Sequence, residues 1–234
     1  MRRVHVPDLR PGVITPDPAQ AHHLRSVLRL TAGEIVEAFD ATGRTATAEV
    51  VTIELGVTLR IESITPPPAV ATVIVAAAVP KGDRADWMIE KLSEVGAARF
   101  IPLRTARSVV HPEGRSKTER WERIAIESAK QCRRSGVLAI SPLTDLRTLL
   151  PTLDPPTTIF FSTRPDATRF QAPPGPARAA TLLIGPEGDW SPDEEAAFVA
   201  SGLTAASLGP TILRVETAAV FAAGLAQFLM PPPA

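Results

Sequence analysis

The sequence predicts an α/β protein, with a parallel-sheet domain that follows a small β-rich domain. The pattern of apolar and polar residues changes at Pro66-Pro67-Pro68. Before that point, short stretches alternate apolar and polar residues; after it, continuous apolar runs alternate with helical segments. Such runs are typical of strands buried on both faces of a parallel sheet. A length of 234 residues fits one or two domains, and we expect them at 1–68 and 69–234.

The elements of the first domain are predicted from its alternation and its glycines. A short helix is expected over 18–28. Strands are expected over 35–39, 45–53 and 57–64, with a glycine before or between them at roughly ten-residue spacing. This spacing favours the hairpins of a small barrel.

The second domain alternates predicted strands with predicted helices. Asp83 is a candidate N-cap for the first helix, and Ser116 with Glu119 and Ser191 with Glu194 have the spacing of capping boxes. The predicted strands cover 70–79, 100–103, 157–162, 180–184 and 205–208, and the helices cover 84–95, 116–134, a segment from 191 onward, and 217–230.

Composition excludes several classes of protein. Cys132 is the single cysteine, which excludes a disulfide framework and a cysteine-rich zinc site. No run of eighteen apolar residues predicts a membrane span, and the first residues lack an apolar signal core, so a cytoplasmic location is expected. His22-His23 has no ligand companions at metal spacing, so no metal is expected. The P-loop, G-x-G-x-x-G, H-E-x-x-H and G-x-S-x-G motifs are absent.

Charge is balanced overall but concentrated in the middle of the chain. Residues 71–150 carry 14 basic and 9 acidic side chains, and 21 of the 25 basic residues in the whole chain are Arg. Arginine binds phosphate in a bidentate manner, so this segment is compatible with a nucleic-acid partner. Coding bias towards Arg and an ordinary solvated helix surface are the alternative explanations.

Three predicted strand ends are candidates for a binding site, because ligands of open parallel sheets bind beyond the carboxyl ends of strands. They are 161–165, 184–190 and 208–218. Glycines in the last two allow the backbone to approach a ligand closely. The alternative is that these Gly-Pro turns only connect strands to helices. Lys81-Gly82-Asp83-Arg84 follows another strand and either holds phosphate or forms an ordinary helix start.

Several motifs, taken together, resemble those of the bacterial 16S ribosomal RNA uridine N3-methyltransferase family, which belongs to the SPOUT class. The resemblance runs in order over about residues 1–230. The matching stretches are 22–30 (His-His-Leu-Arg-Ser-Val-Leu-Arg-Leu), 81–84, 87–91 and 94–96, Arg107-Ser108-Val109-Val110, Ile184-Gly185-Pro186-Glu187-Gly188, and 208–218 (Leu-Gly-Pro-Thr-Ile-Leu-Arg-Val-Glu-Thr-Ala).

This resemblance implies a PUA-like RNA-binding barrel at 1–68 and a knotted, S-adenosylmethionine-dependent methyltransferase domain at 69–234. It further implies a homodimer that methylates N3 of a uridine in 16S rRNA of the small ribosomal subunit. Two departures stand out. Family members often have Arg where Thr211 stands and Thr where Val215 stands, and Gly-Phe commonly replaces Asp189-Trp190.

The resemblance also assigns candidate roles to residues. Arg214 is the candidate for stabilising the uridine N3 anion, with Asp83 and Glu94 as weaker candidate bases. Cofactor contacts are expected from Ser162, Thr163, Ile184, Gly185, Pro186, Glu187, Gly188, Leu208, Gly209, Ile212, Leu213, Glu216, Thr217 and Ala218. RNA contacts are expected from His22, His23, Arg25, Arg29, Lys81, Arg84, Lys91, Arg107, Arg133 and Arg134.

Other functions stay open at the level of sequence. One is the same transfer to another RNA position or to a ribose 2′-hydroxyl. Another is a non-catalytic RNA-binding factor in ribosome assembly, which the intact glycine turns and the Arg-x-Glu-Thr-Ala stretch disfavour. A nucleotide-dependent hydrolase or oxidoreductase is disfavoured by the missing phosphate-binding motifs.

Overall fold

The computed structural model describes residues 1–53, 56–112, 114–173 and 178–230. The chain forms two compact units. The first combines Met1–Pro68 with Ala129–Val137, and the second combines Ala69–Ser128 with Leu138–Ala234. Residues 129–137 therefore group with the N-terminal part of the chain, although the sequence predicts them within the second domain.

A five-stranded sheet forms the first unit. Its order is β1-β3-β4-β5-β2; β1 pairs with β3 in parallel, and the other neighbours are antiparallel. The predicted hairpins are thus present, whereas the first two strands are too short to be seen in the sequence pattern. The strands are β1 (Arg2–His5), β2 (Gly12–Ile14), β3 (Ile35–Phe39), β4 (Thr45–Thr52) and β5 (Thr58–Ile61).

The predicted first helix is divided into two kinds of turn. Helix α1 covers Pro18–His22, and the Asp17 side chain caps it by accepting a 2.9 Å hydrogen bond from the Gln20 amide. A π-helical turn follows over His23–Val27 and buries Leu24. Single π-turns are uncommon in proteins and occur often at functional sites.

Arg3 explains why residues 129–137 belong to the first unit. Its side chain is almost completely buried, and its Nη1 donates to the carbonyl oxygens of Ala129 (2.9 Å) and Arg134 (3.0 Å). The guanidinium also lies 4.2 Å from the ring centre of Phe39. The Val137 amide donates to the Ala41 carbonyl. Contacts between residues more than 90 positions apart cannot be read from a local pattern.

An eight-stranded parallel sheet forms the second unit, in the order β11-β13-β10-β12-β6-β7-β8, with β9 pairing with β7. The alternation of apolar strands and helices predicts this architecture, and the structure confirms it. The strands are β6 (Thr72–Ala78), β7 (Arg99–Arg104), β8 (Ala139–Ile140), β9 (Thr144–Asp145), β10 (Thr158–Phe161), β11 (Thr168–Arg169), β12 (Ala179–Ile184) and β13 (Thr204–Ser207).

Helices lie between the strands of the second unit, and one further helix follows its last strand. Within the described residues, no helix is both long and apolar enough to cross a membrane. Short 3₁₀ turns occupy Leu150–Thr152 and Pro155–Thr157. The helices are α2 (Arg84–Glu94), α3 (Arg115–Cys132, of which residues 129–132 group with the first unit), α4 (Leu146–Leu149), α5 (Pro192–Ala200) and α6 (Val215–Leu229).

Two of the three predicted helix caps are wrong. The Asp83 side chain makes no capping hydrogen bond, because the residue already has helical backbone angles. Helix α3 begins at Arg115, so Ser116 lies inside the helix and cannot cap it. The Ser191 capping box is confirmed: the Glu194 amide donates to Ser191 Oγ, and the Ser191 amide donates to Glu194 Oε2.

His5 provides a pH-dependent contribution to the stability of the first unit. It is buried, and its ring packs edge-on against Phe39 with centroids 5.5 Å apart. Neither ring nitrogen has a hydrogen-bond partner in the described part of the chain. Burial lowers the pKa of His5; the nearby Asp17 and Asp40 oppose this effect, and Lys130 adds to it. The folded state therefore favours the neutral ring.

We predict that unfolding becomes easier as the pH falls below about 6.5. The unfolded state then takes up a proton that the folded His5 resists, with a slope of at most about 1.4 kcal/mol per pH unit. Urea unfolding of the wild type and of His5→Leu between pH 8 and 5 measures this contribution. The variant should lose that part of the pH dependence, whereas His22→Leu, at an exposed histidine, should keep it. Identical pH profiles for the wild type and His5→Leu would contradict this account.

Candidate functional site

Three neighbouring strands end at the same edge of the large sheet. Strand β10 pairs in parallel with β12 on one side and β13 on the other, and Phe161 is in register with both Ile184 and Ala206. The turns that follow these strands therefore lie together. They enclose a cavity of about 670 Å³, which is within the range of small-molecule sites, about 300–1,000 Å³.

The cavity lining contains most of the residues predicted for a ligand. Arg214, the residue before α6, also belongs to the lining. The predicted residues in the lining are Ser162, Thr163, Ile184, Gly185, Pro186, Glu187, Gly188, Leu208, Gly209, Ile212, Leu213 and Ala218.

Glu216 and Thr217 were also expected at this site, but the structure places both outside the lining. Glu216 is buried, and its Oε1 lies 3.6 Å from Nη1 of Arg84. Residues 215 and 218 reach the cavity while 216 and 217 do not, because successive positions of a helix point in different directions.

Trp190 fixes the turn over 185–190. Its ring is buried, and its Nε1 donates a 2.7 Å hydrogen bond to the carbonyl of Phe161 at the end of β10. A Cβ atom added to Gly185 would lie only 3.1 Å from this ring, so a side chain at that position would displace it. The indole therefore joins the ends of two neighbouring strands.

Arg107 holds the same turn from the loop after β7. Its Nη1 donates to the carbonyl oxygens of Gly188 (2.7 Å) and Trp190 (3.1 Å). The preceding amide, of Ala106, donates a 2.7 Å bond to Glu194 Oε1. Arg107 was expected to contact RNA; here its guanidinium stabilises a turn that lines the cavity.

Glu195 organises the turn after β10. Its carboxylate accepts from Ser162 Oγ (3.2 Å) and from Nη1 of Arg164 (3.1 Å). Arg164 also binds Asp166, and this hydrogen-bonded pairing lowers the pKa of Asp166 and raises that of Arg164. The buried Ser162 is thus held by α5 through its hydroxyl and by β13 through its amide, which donates to the Ala206 carbonyl.

The third turn contains a glycine in a conformation that favours glycine. Gly209 has φ of +137°, a conformation that other residues rarely adopt. Its amide donates to Ser207 Oγ at 3.3 Å. The turn ends at Arg214, the residue before α6, whose carbonyl accepts a 2.8 Å bond from the Ala218 amide. Arg214 is exposed and belongs to the cavity lining.

The two acidic catalytic candidates lie away from this cavity. Asp83 is exposed at the start of α2, and Glu94 accepts a 2.8 Å bond from Lys91 Nζ at the end of that helix. Neither residue belongs to the lining. Among the described residues, the carboxylates that do line it are Glu187 and Asp189.

The residues predicted to contact RNA are distributed over both units. In the first unit, His22 at the end of α1, Arg25 in the π-helical turn and Arg29 after it are exposed, while His23 and Arg134 are half-buried. Burial lowers the pKa of Arg134.

Three further candidates already bind protein groups. Lys91 pairs with Glu90 and Glu94, Arg84 lies beside Glu216, and Arg133 Nη2 donates weakly to the Met1 carbonyl. Lys81 is exposed after β6.

No cluster of three or more His, Cys, Asp or Glu side chains suited to a metal ion occurs among the described residues. Sequence reasoning names Arg107 as an RNA contact and includes Trp190 in the predicted turn over 184–190, but it does not predict that these two side chains and Glu195 support the cavity turns. Trp190, Arg107 and Glu195 act through contacts with residues 29–83 positions away. The loop motif at 107–110 was the one available signal.

Comparisons with known proteins identify the class and the family. Residues 66–227 match the family model of the RNA methyltransferase domain, and residues 16–62 match that of the RNA methyltransferase PUA domain. The parallel sheet, with its ligand-sized cavity at the carboxyl edge, therefore belongs to an RNA methyltransferase domain.

Relatives with curated names are similar over most of the chain. Two proteins called ribosomal RNA small subunit methyltransferase E are examples. The one from Synechocystis is 31% identical over 88% of this chain and 70% of its own length. The one from Bacillus subtilis is 30% identical over 87% of this chain and 85% of its own length. The chain belongs to this family of ribosomal RNA small subunit methyltransferases.

A solved structure extends the likeness to three dimensions. The ribosomal RNA small subunit methyltransferase E of Neisseria gonorrhoeae, solved with bound S-adenosyl methionine, superposes with a TM-score of 0.85. Its sequence is 26% identical to this chain, and the superposition covers 98% of each of the two chains. The PUA-like first unit and the SPOUT-like α/β second unit are thereby confirmed as the fold class. Closure of the small sheet into a barrel and the trefoil knot stay predictions.

We predict that Trp190→Phe destabilises the second unit by about 1–3 kcal/mol. The change removes the indole N–H and leaves the Phe161 carbonyl without that donor, which carries the cost of an unpaired buried polar group. Urea unfolding followed by circular dichroism measures the effect. Trp87→Phe is the matched control, because Trp87 is 44% exposed and its loss should change stability by less than about 0.5 kcal/mol. Equal stabilities for the two variants would refute the role of Trp190.

Proposed function

We propose that this protein transfers a methyl group from S-adenosylmethionine to N3 of a uridine in 16S rRNA of the small ribosomal subunit. The main observation behind this proposal is the cavity at the carboxyl edge of β10, β12 and β13. Three turns that contain glycine or hydroxyl side chains form it. Relatives named for methylation of small-subunit ribosomal RNA and the neighbours solved with the bound cofactor support it.

The cavity is suited to this cofactor in size and chemistry. Its volume is in the ligand range, and Gly209, where an added Cβ would meet no atom within 4 Å, lets the third turn come close to an adenine edge or a ribose. Ala218 and Leu213 contribute apolar surface to the same lining. When bound, S-adenosylmethionine supplies an electrophilic methyl group on a positively charged sulfur.

The uridine must be presented with its pairing edge free. N3 carries a proton at neutral pH and lies on that edge, so the base has to be unpaired or turned out of its stack. Negative charge develops on the base as this proton passes to solvent water, and a nearby cation stabilises that charge. Arg214 is the cation we assign, because it lies in the cavity lining at the start of α6. Asp83 and Glu94 stay less favoured bases, since both lie outside the lining.

Each unit has a proposed share in the reaction. Residues 1–68 form the RNA-binding domain, and the exposed His22, Arg25 and Arg29 are proposed contacts. Residues 69–234 form the methyltransferase domain, with Lys81 and Arg84 as candidate phosphate ligands. A homodimer and a cytoplasmic location are expected from the family resemblance and from the sequence, respectively, and stay predictions.

Nucleoside mass spectrometry tests the proposal. Small ribosomal subunits lacking the modification, and separately their naked RNA, are incubated with the protein and isotope-labelled S-adenosylmethionine. We expect labelled 3-methyluridine from at least one of these substrates. Label in another base or on a ribose 2′-hydroxyl would replace the proposed target atom, and no label despite measured cofactor binding would favour a non-catalytic RNA-binding factor.

Arg214→Ala serves as the matched variant in this assay. Loss of one electrostatic group that acts in the transition state costs about a hundredfold to a thousandfold in rate. We expect a loss of that size with cofactor affinity close to that of the wild type. Unchanged turnover at unchanged cofactor affinity would remove Arg214 from the mechanism.

A further inference from the structure

A direct side-chain hydrogen bond joins two of the turns that line the cavity. Thr163 Oγ1, in the turn after β10, donates to Asp189 Oδ2, in the turn after β12, at 2.6 Å. Both residues belong to the cavity lining. The two are 26 positions apart, and the bond spans the carboxyl edge where β10 and β12 end side by side.

Asp189 occupies a backbone position that favours glycine. Its φ is +60°, in the left-handed region that non-glycine residues adopt infrequently, although Asp is among the more tolerant of them. The other carboxylate oxygen, Oδ1, accepts a 2.9 Å bond from the Trp190 amide, and the Asp189 amide donates to the Pro186 carbonyl. The carboxylate thus tightens its own turn with one oxygen and reaches the next turn with the other.

We infer that Asp189 is a positioning residue of the cofactor pocket that acts through Thr163. The bond holds the turn over 162–165 against the turn over 185–190, so that the groups facing the ligand are already in place when it binds. Pre-organised sites bind more tightly because less conformational freedom is lost on binding, and such gains are expressed chiefly in slower dissociation. The inference rests on the proposed function, which supplies S-adenosylmethionine as the ligand.

A double-mutant cycle tests this inference. The full-length variants are Thr163→Val, which removes the donor, Asp189→Gly, which removes the acceptor at a backbone angle that glycine adopts freely, and their combination. Thr163→Ser restores a hydroxyl at the same position and is the matched control. Calorimetry and stopped-flow displacement give the affinity and the dissociation rate of S-adenosylmethionine for each variant, and circular dichroism verifies that each one folds.

We expect each single change to weaken binding by roughly three- to tenfold, the size of one lost hydrogen bond. Faster dissociation should account for most of this loss. The double variant should be no weaker than the weaker single variant, and Thr163→Ser should lie within about twofold of the wild type.

Two results would overturn the positioning role. A strong loss for Asp189→Gly with wild-type binding by Thr163→Val would mean that the carboxylate touches the ligand directly. Losses that multiply in the double variant would mean that the two side chains act independently. If the wild type binds no S-adenosylmethionine, the proposed function itself fails, and this result is distinct from a cycle without coupling.

Discussion

The parallel pairing of β10 with both β12 and β13 is the constraint on which the rest of the site depends. It aligns three carboxyl ends at one edge, although the three strands come from separate parts of the chain. Parallel strands need long crossover connections, and here α5 connects β12 to β13, while the stretch after β10 includes β11. The turns that follow the three strands form the cavity wall. If this register slipped, the three turns would no longer face one another.

Turns have few backbone hydrogen bonds of their own, so side chains must hold them in place. The buried ring of Trp190 holds the turn over 185–190 by binding the Phe161 carbonyl, and Arg107 holds the same turn from the loop after β7. The first unit has a comparable arrangement, since the buried Arg3 binds the carbonyl of Ala129 in the last turn of α3 and the carbonyl of Arg134 just beyond it. In both units, a single side chain with several donors, or with a large ring, fixes a backbone segment that secondary structure does not fix.

Much of this organisation is present in local sequence patterns. Apolar runs predict the strands of the second unit, and the residues after three of them predict the turns that line the cavity. The patterns fail where structure depends on distant contacts. The sequence predicts Arg107 as a surface cation that contacts RNA, but it does not predict that its side chain binds carbonyl groups 81 and 83 positions away. Ser116 has capping-box spacing but lies inside a helix that starts one residue earlier. Strands β8, β9 and β11 have only two residues each, too few to show any periodicity.

Hydrogen–deuterium exchange with and without S-adenosylmethionine tests most directly whether the three turns form one ligand site. The account predicts slower exchange, on cofactor addition, in peptides covering 162–167, 184–190 and 207–215 together. It predicts no change at the π-helical turn, His23–Val27. Protection confined to one of the three segments, or located at other parts of the chain, would contradict the account, because the cofactor would then bind without the shared edge of β10, β12 and β13.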